Sequence, residues 1–264
     1  MDNAMESYSE DEIKQGIQEG KALEFRCYTI TEAVSKNLET SMKILLDFYK
    51  HEDLFPSIYG VIQELMKWSI VANMRYLYFK KHGLDLEHAR EVMDNESRFQ
   101  KTIHIENIDE YRQELKANEM FVRCKISHND NGLNAEVFNH AEAGVSQERY
   151  LRDYLKKAMK YSDIMEYFHD HPEDTDGMGM GLAFSIILLK ESGLRPELMR
   201  LGQADGGGGY SRIEIPFNEQ YISIRDRILK GESVVPFEKK TLVPPEYEEE
   251  LKIRLLEIQK EQSV

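Results

Sequence analysis

Three glycines at alternate positions, Gly177, Gly179 and Gly181, interleave with Met178 and Met180 and lead into the apolar run Leu182 to Leu189. Glycine lets a backbone approach a ligand closely. A helix that opens just after such a run presents unsatisfied N–H groups and a positive dipole end, which together suit phosphate. The chemistry on offer is anion binding, although the same residues also make an ordinary turn before a helix. Two phosphate-binding patterns are excluded. A Walker loop requires Gly-Lys-Ser/Thr, which is absent, and a dinucleotide fingerprint requires a preceding strand, where this chain has the acidic stretch His169 to Asp176. That stretch holds imidazoles and carboxylates, the ligand types of a metal site. Clustered acids in a loop read better as a solvated surface. Lys156, Lys157 and Lys160 lie upstream, within reach of phosphate if the segment folds over the glycines.

The elements that must position these residues can be read from periodicity. Asp11 to Glu19 suits a short amphipathic helix, and Leu23 to Ile30 is rich in β-formers and reads as a strand. A helix follows over 35–50. Pro56 opens a long helix to about Lys81, with Ile58, Val61, Ile62, Leu65, Ser69, Ala72 and Tyr76 on its core face. Charged helices are predicted over 86–101 and 108–118. Strands over 120–127 and 133–139 flank Asn129-Asp130-Asn131-Gly132, whose Asn-Gly step predicts a hairpin turn with positive φ angles. A helical stretch, 146–167, precedes the acidic loop, and a helix over 182–192 follows the glycines. Strands near 198–203 and over 210–216 enclose the turn Gly206 to Gly209. A charged helix is predicted over 246–262, beyond Pro244-Pro245.

This order resembles the GHKL superfamily of gyrase-type, heat-shock-chaperone, histidine-kinase and MutL-type ATPases, over about Leu23 to Pro216. Glu64-Leu65 resembles the start of the family's helix motif, and Ala135 to Gly144 its second box. Gly177 to Leu182 matches the glycine box that ends the lid. Gly208 to Pro216 resembles the closing strand, with Gly209 where threonine is common. The resemblance implies an α+β fold: a two-layer α/β sandwich of the histidine-kinase ATPase type. Its sheet would be mixed and mostly antiparallel with helices on one face, plus a helical insertion and a C-terminal tail. It implies ATP or ADP as ligand, held by Gly144, Gly177, Gly179, Gly181 and Leu182, with Asn139 at the base and Glu64 as the catalytic general base.

Two departures weaken the implied catalysis. The family's magnesium-binding asparagine lies four residues after the glutamate, and here that residue is Trp68, lining the pocket. An indole cannot coordinate a hard cation, which takes oxygen ligands, so no metal site is expected. Phosphoryl transfer depends chiefly on positioning and on charge neutralisation by the metal. Asn73, about 140° further round the helix, is expected on its surface or packed on the insertion. At the adenine-recognising aspartate stands His140, beside Asn139, whose amide oxygen can still accept from an adenine amino group. The helix 35–50 contains no phosphoacceptor histidine, and His51 at its end, expected to be exposed, lacks the flanking acid and arginine.

Composition bounds the rest. A hydrophobic fraction of 41% supports a core, and a net charge of −14 argues against nucleic acid as the main partner and against anionic membranes. No apolar run is long enough to span a bilayer. Cys27 and Cys124, each in a β-like run, are expected to be buried free thiols. An acidic opening without a signal-peptide core suggests a cytoplasmic protein. Three segments are expected: an N-terminal extension over 1–22, an ATPase-like domain over 23–217 with an insertion at about 84–118, and a tail over 218–264. The implied role is a signalling protein with a degenerate nucleotide pocket that acts on a protein partner. The alternatives are a protein serine kinase like the anti-sigma-factor kinases, and a nucleotide-free scaffold.

Overall fold

The computed structural model describes residues 8–85, 88–103, 108–141, 154–172, 178–203, 207–232 and 241–242. The chain is α+β. Its sheet has strands β1 (Ala22–Cys27), β2 (Val122–Asn129), β3 (Gly132–Asn139), β4 (Arg200–Gln203), β5 (Gly209–Pro216) and β6 (Thr241–Leu242) in the order β4-β5-β3-β2-β1-β6. Every pairing is antiparallel except that of β6 with β1. Among the described residues the helices include α1 (Glu10–Gln18), α2 (Glu32–Phe48), α3 (Phe55–Lys81), α4 (Ala89–Thr102), α5 (Ile108–Ala117), α6 (Ile164–Asp170), α7 (Met178–Glu191) and α8 (Ile224–Leu229), and residues 154–158 are helical as well.

Strand alternation decides the layering. Residues directly opposed across the ladder share a face, and Leu23–Ile126–Ala135–Ile213 and Phe25–Cys124–Val137 form such rows. All of these are buried in one cluster with Ile13, Leu45, Leu65 and Ile187 from the helices. Helices α1 and α2 meet β1, and α3 lies over β2, β3 and β5 with α7 beside it. The opposite face is polar: Glu24, Lys125, Glu136, Arg212 and Arg200 make one continuous row. Helix α1, from the stretch expected to be an extension, puts Ile13 and Ile17 into this core. The two charged helices join it through Phe99 and Leu115, and Arg75 of α3 pairs with Glu96.

Several boundaries differ from the sequence expectation, each for a local reason. Strand β1 stops at Cys27 because Thr31 caps α2, its hydroxyl accepting from Val34 N–H. Pro196–Leu198 form a 3₁₀ turn, so β4 starts only at Arg200. Helix α6 takes in His169 and Asp170, which were expected in a loop. No positive φ occurs in the hairpin after β2: Asn129 pairs directly with Gly132, and the Asn129 side chain accepts from Asn131 N–H at 2.9 Å. Glycine is needed at 132 because a Cβ there would lie 2.5 Å from the Ile215 carbonyl and 2.6 Å from Tyr221. His51, expected to be exposed, is half-buried and stacks on Phe217 with ring centroids 4.5 Å apart.

Beside this turn β2 holds a buried imidazole. His128 Nε2 lies 2.8 Å from the Lys21 carbonyl, and Nδ1 lies 2.8 Å from the Tyr49 hydroxyl. A carbonyl only accepts, so Nε2 carries the proton and Nδ1 accepts from Tyr49, the neutral tautomer. Burial pushes the His128 pKa below its ordinary value of 6.5, outweighing the carbonyl contact. Burial, aided by the nearby Asp130 carboxylate, pushes the Tyr49 hydroxyl up to about 12. Below pH 6.5 the unfolded chain therefore binds a proton at this residue before the folded chain does, and stability falls with pH. Urea denaturation from pH 7 to pH 5 is expected to show this loss. His128→Gln should flatten it; an unchanged slope would assign the acid sensitivity to other groups.

Candidate functional site

Helices α3 and α7 run antiparallel in close contact. The hydroxyls of Ser57 and Ser192 meet at one end of the pair, and a Cβ on Gly60 would lie 3.2 Å from Leu188 Cδ2 in the middle. At the other end a Cβ on Gly181 would overlap Glu64 Oε2 and lie 3.4 Å from its Cδ. Glycine at 181 is thus what lets the Glu64 carboxylate pack against α7. The carboxylate is anchored from the other side by Lys67, whose Nζ lies 2.6 Å from Oε1. Glu64 is partly exposed and Lys67 more so.

The glycine run does not precede the helix as expected: Gly179 and Gly181 lie within it. Helix α7 is described over Met178–Glu191, so Gly179 and Gly181 are helical, and Leu182 follows in the core. The helix continues because its apolar residues pack: Leu182, Ala183, Ile186, Ile187 and Leu189 are all buried. Gly144 and Gly177 lie outside the described residues.

Trp68 is 7% exposed and belongs to the main hydrophobic cluster. One turn beyond Glu64, it forms part of the core beneath the site. Asn73 corrects the expectation of a surface residue: it is 0% exposed. Its Nδ2 donates to the Met120 carbonyl at 3.1 Å, and its Oδ1 accepts from Ala141 N–H at 2.9 Å. Those backbone partners fix the amide's orientation. Asn139 Nδ2 then donates to Asn73 Oδ1 at 3.4 Å and to the Ala141 carbonyl at 3.1 Å. One side chain of α3 thereby ties the entry to β2 to the exit from β3.

Asn139 Oδ1 is left over. It is buried and, among the described residues, has no hydrogen-bond partner; the same holds for Ser69 Oγ on α3 and Ser211 Oγ on β5. Asn139 Oδ1 lies where a Cβ on Gly209 would be, which explains glycine at the position where the resembled family has threonine. Buried acceptors without partners cost about 1–3 kcal/mol each and call for a ligand or ordered water. Sequence reasoning found Asn139 but missed Ser69, Asn73 and Ser211 as a polar group. Serine and asparagine at core positions of α3 and β5 were the available signal.

The remaining candidates separate from this region. The His169–Asp170 segment lines an open concavity of about 440 Å³ with Tyr161, Met165 and Glu166. The Tyr161 hydroxyl donates to Asp170 at 3.0 Å there. No cluster of three metal-ligating side chains exists among the described residues. Both thiols are free and buried; burial raises Cys27 to about 12 and Cys124 higher still, so neither is a nucleophile. No helix among the described residues is long and apolar enough to cross a membrane.

Comparison with known proteins adds little. The chain is 23% identical over 208 residues to an uncharacterized protein of Treponema pallidum (strain Nichols), a match covering 79% of this chain and 40% of that relative. The chain therefore spans less than half the length of the relative it matches. No family model matches it, and no solved structure matches it.

Proposed function

We propose that the chain is a regulatory protein with a GHKL-like pocket that binds ATP or ADP and transmits occupancy to a protein partner, with phosphotransfer weak or lost. The observation that carries this reading is the meeting of Glu64 on α3 with Gly181 of the glycine run on α7. Phosphates would sit against the glycine run, as the resemblance implies, displacing Glu64, with Lys67 available as a counter-charge. The base would lie nine residues along α3, about 13 Å away, where Asn139 Oδ1 is a buried acceptor aimed by the Asn73 network. An acceptor there suits the exocyclic amino group of adenine and not the carbonyl of guanine. The chemistry is weak for two reasons: Trp68 replaces an oxygen ligand for magnesium, and Glu64 is ion-paired with Lys67, which quenches it as a base.

Thermal denaturation with and without nucleotide tests the proposal. A ligand that binds only the folded chain stabilises it by about 2.7 kcal/mol at a hundred times its Kd. ATP and ADP should raise the Tm, GTP should not, and magnesium should add little. Equal shifts with GTP would contradict the assigned base contact.

A nucleotide-free scaffold has an observation in its favour too. The Glu64 carboxylate already fills the space beside Gly181 where a phosphate would sit. On that reading no nucleotide shifts the Tm, and Glu64→Gln lowers stability.

A further inference from the structure

The two oxygens of the Glu64 carboxylate are treated differently. Oε1 is held by Lys67, whose Nζ lies 2.6 Å away. Oε2 lies against Gly181 and, among the described residues, accepts no hydrogen bond. The end of the side chain lies along that glycine: a Cβ there would overlap Oε2 and stand 3.4 Å from Cδ and 3.9 Å from Cγ. An ionised carboxylate is purely an acceptor, and packing Oε2 on a glycine gives it no donor. Its place is therefore set from the other side, by Lys67.

The helices around this contact are fixed. Leu65 of α3 and Leu182, Ile186 and Ile187 of α7 are buried in the core, and a Cβ on Gly60 would already press on Leu188 at 3.2 Å. The Glu64 side chain is the part that can yield. It is 24% exposed, and Lys67, 54% exposed, is its ion-pair partner among the described residues. Exposed pairs three residues apart on a helix hold weakly. The carboxylate is thus a detachable group in a close-fitting place. A phosphate entering beside Gly181 has to remove it, and then becomes the oxyanion that Lys67 pairs with.

We infer that Glu64 is an internal stand-in for phosphate, latched by Lys67, and that it sets how tightly the site takes phosphorylated ligands. This rests on the nucleotide reading proposed above and changes the role of Glu64 within it, from catalytic base to competitor for the phosphate position. Repulsion between unit charges about 4 Å apart near a protein surface is worth more than a factor of ten in affinity. A ligand without phosphate does not meet that repulsion.

Isothermal titration of ADP and of adenosine into the full-length chain and into Glu64→Gln, all without magnesium, tests this. Glu64→Gln should bind ADP at least tenfold more tightly than the unaltered chain, with adenosine changed less than about twofold. Glu64→Asp, whose carboxylate ends one methylene short of Gly181, should fall between them for ADP. Adding Lys67→Met to Glu64→Gln should return most of the gain, because there Lys67 serves the phosphate. Equal ADP affinity in Glu64→Gln and the unaltered chain would overturn the inference and leave the nucleotide reading standing. Equal tightening of ADP and adenosine would overturn it too, since that reports loosened packing and no competition with phosphate. ADP binding by neither protein would remove the nucleotide reading and this inference together.

Discussion

Asn73→Ala lowers the stability of the chain by about 2–4 kcal/mol, because it strands buried backbone groups at two places at once. The Met120 carbonyl loses its donor and Ala141 N–H loses its acceptor, both away from water. Asn139 also loses one of its two acceptors. Asn73→Asp does no better: it keeps the acceptor for Ala141 N–H but replaces the donor to Met120 with a buried negative charge. Denaturant titration of the two variants beside the unaltered chain measures this. A loss under about 0.5 kcal/mol in Asn73→Ala, the range of surface substitutions, would show that the network bears no load.

Trp68→Asn, the substitution that would recreate a metal-binding side chain at the position the resembled family uses, costs more still. Trp68 is nearly fully buried in the main core. Truncating a buried tryptophan costs about 3–5 kcal/mol in packing, and an amide left in the same place adds its own desolvation. Against a total stability of about 5–15 kcal/mol, the variant is expected to be largely unfolded or close to its transition at room temperature. Circular dichroism melting should show this directly, and added magnesium should not rescue it. A folded variant with magnesium-dependent nucleotide binding would mean that the indole only plugs a metal site. Trp68 is the sole tryptophan, so its fluorescence reports unfolding in every other variant.

Particular residues show what was legible in the sequence. Helix α3 was readable from its apolar spacing, and strands β2 and β3 from their alternation, since periodicity is itself the cause of burial on one face. The glycine run was readable as a place of close approach but not as part of a helix. Glycine is a poor helix former, and only the packing of α7 on α3 holds Gly179 and Gly181 in helical geometry. Gly132 was noticed for the wrong reason: an Asn-Gly step suggests a left-handed turn, whereas the glycine makes room for the Ile215 carbonyl and Tyr221. The angular argument separating Asn73 from Trp68 on the helix was sound. Which surface that second face meets is a tertiary fact, and no local pattern reveals that it faces the ends of two strands. The short helix α8 and the two-residue strand β6 carry too few residues for any period to register.

The candidate site was legible in part for the same reason. Glu64 and Gly181 each have a local signature, and α3 and α7 bring them together. Ser69 and Ser211 have none; they become notable only because they are buried with hydroxyls lacking partners among the described residues.

Isothermal titration of ADP into the purified full-length chain, without magnesium and with Gly181→Val in parallel, bears most directly on the proposed pocket. One molecule of ADP should bind per chain. Binding should weaken at least tenfold in Gly181→Val, where the new side chain drives Glu64 away and fills the space beside α7. No heat of binding at millimolar ADP, or equal affinity in the folded variant, would contradict a nucleotide site between α3 and α7.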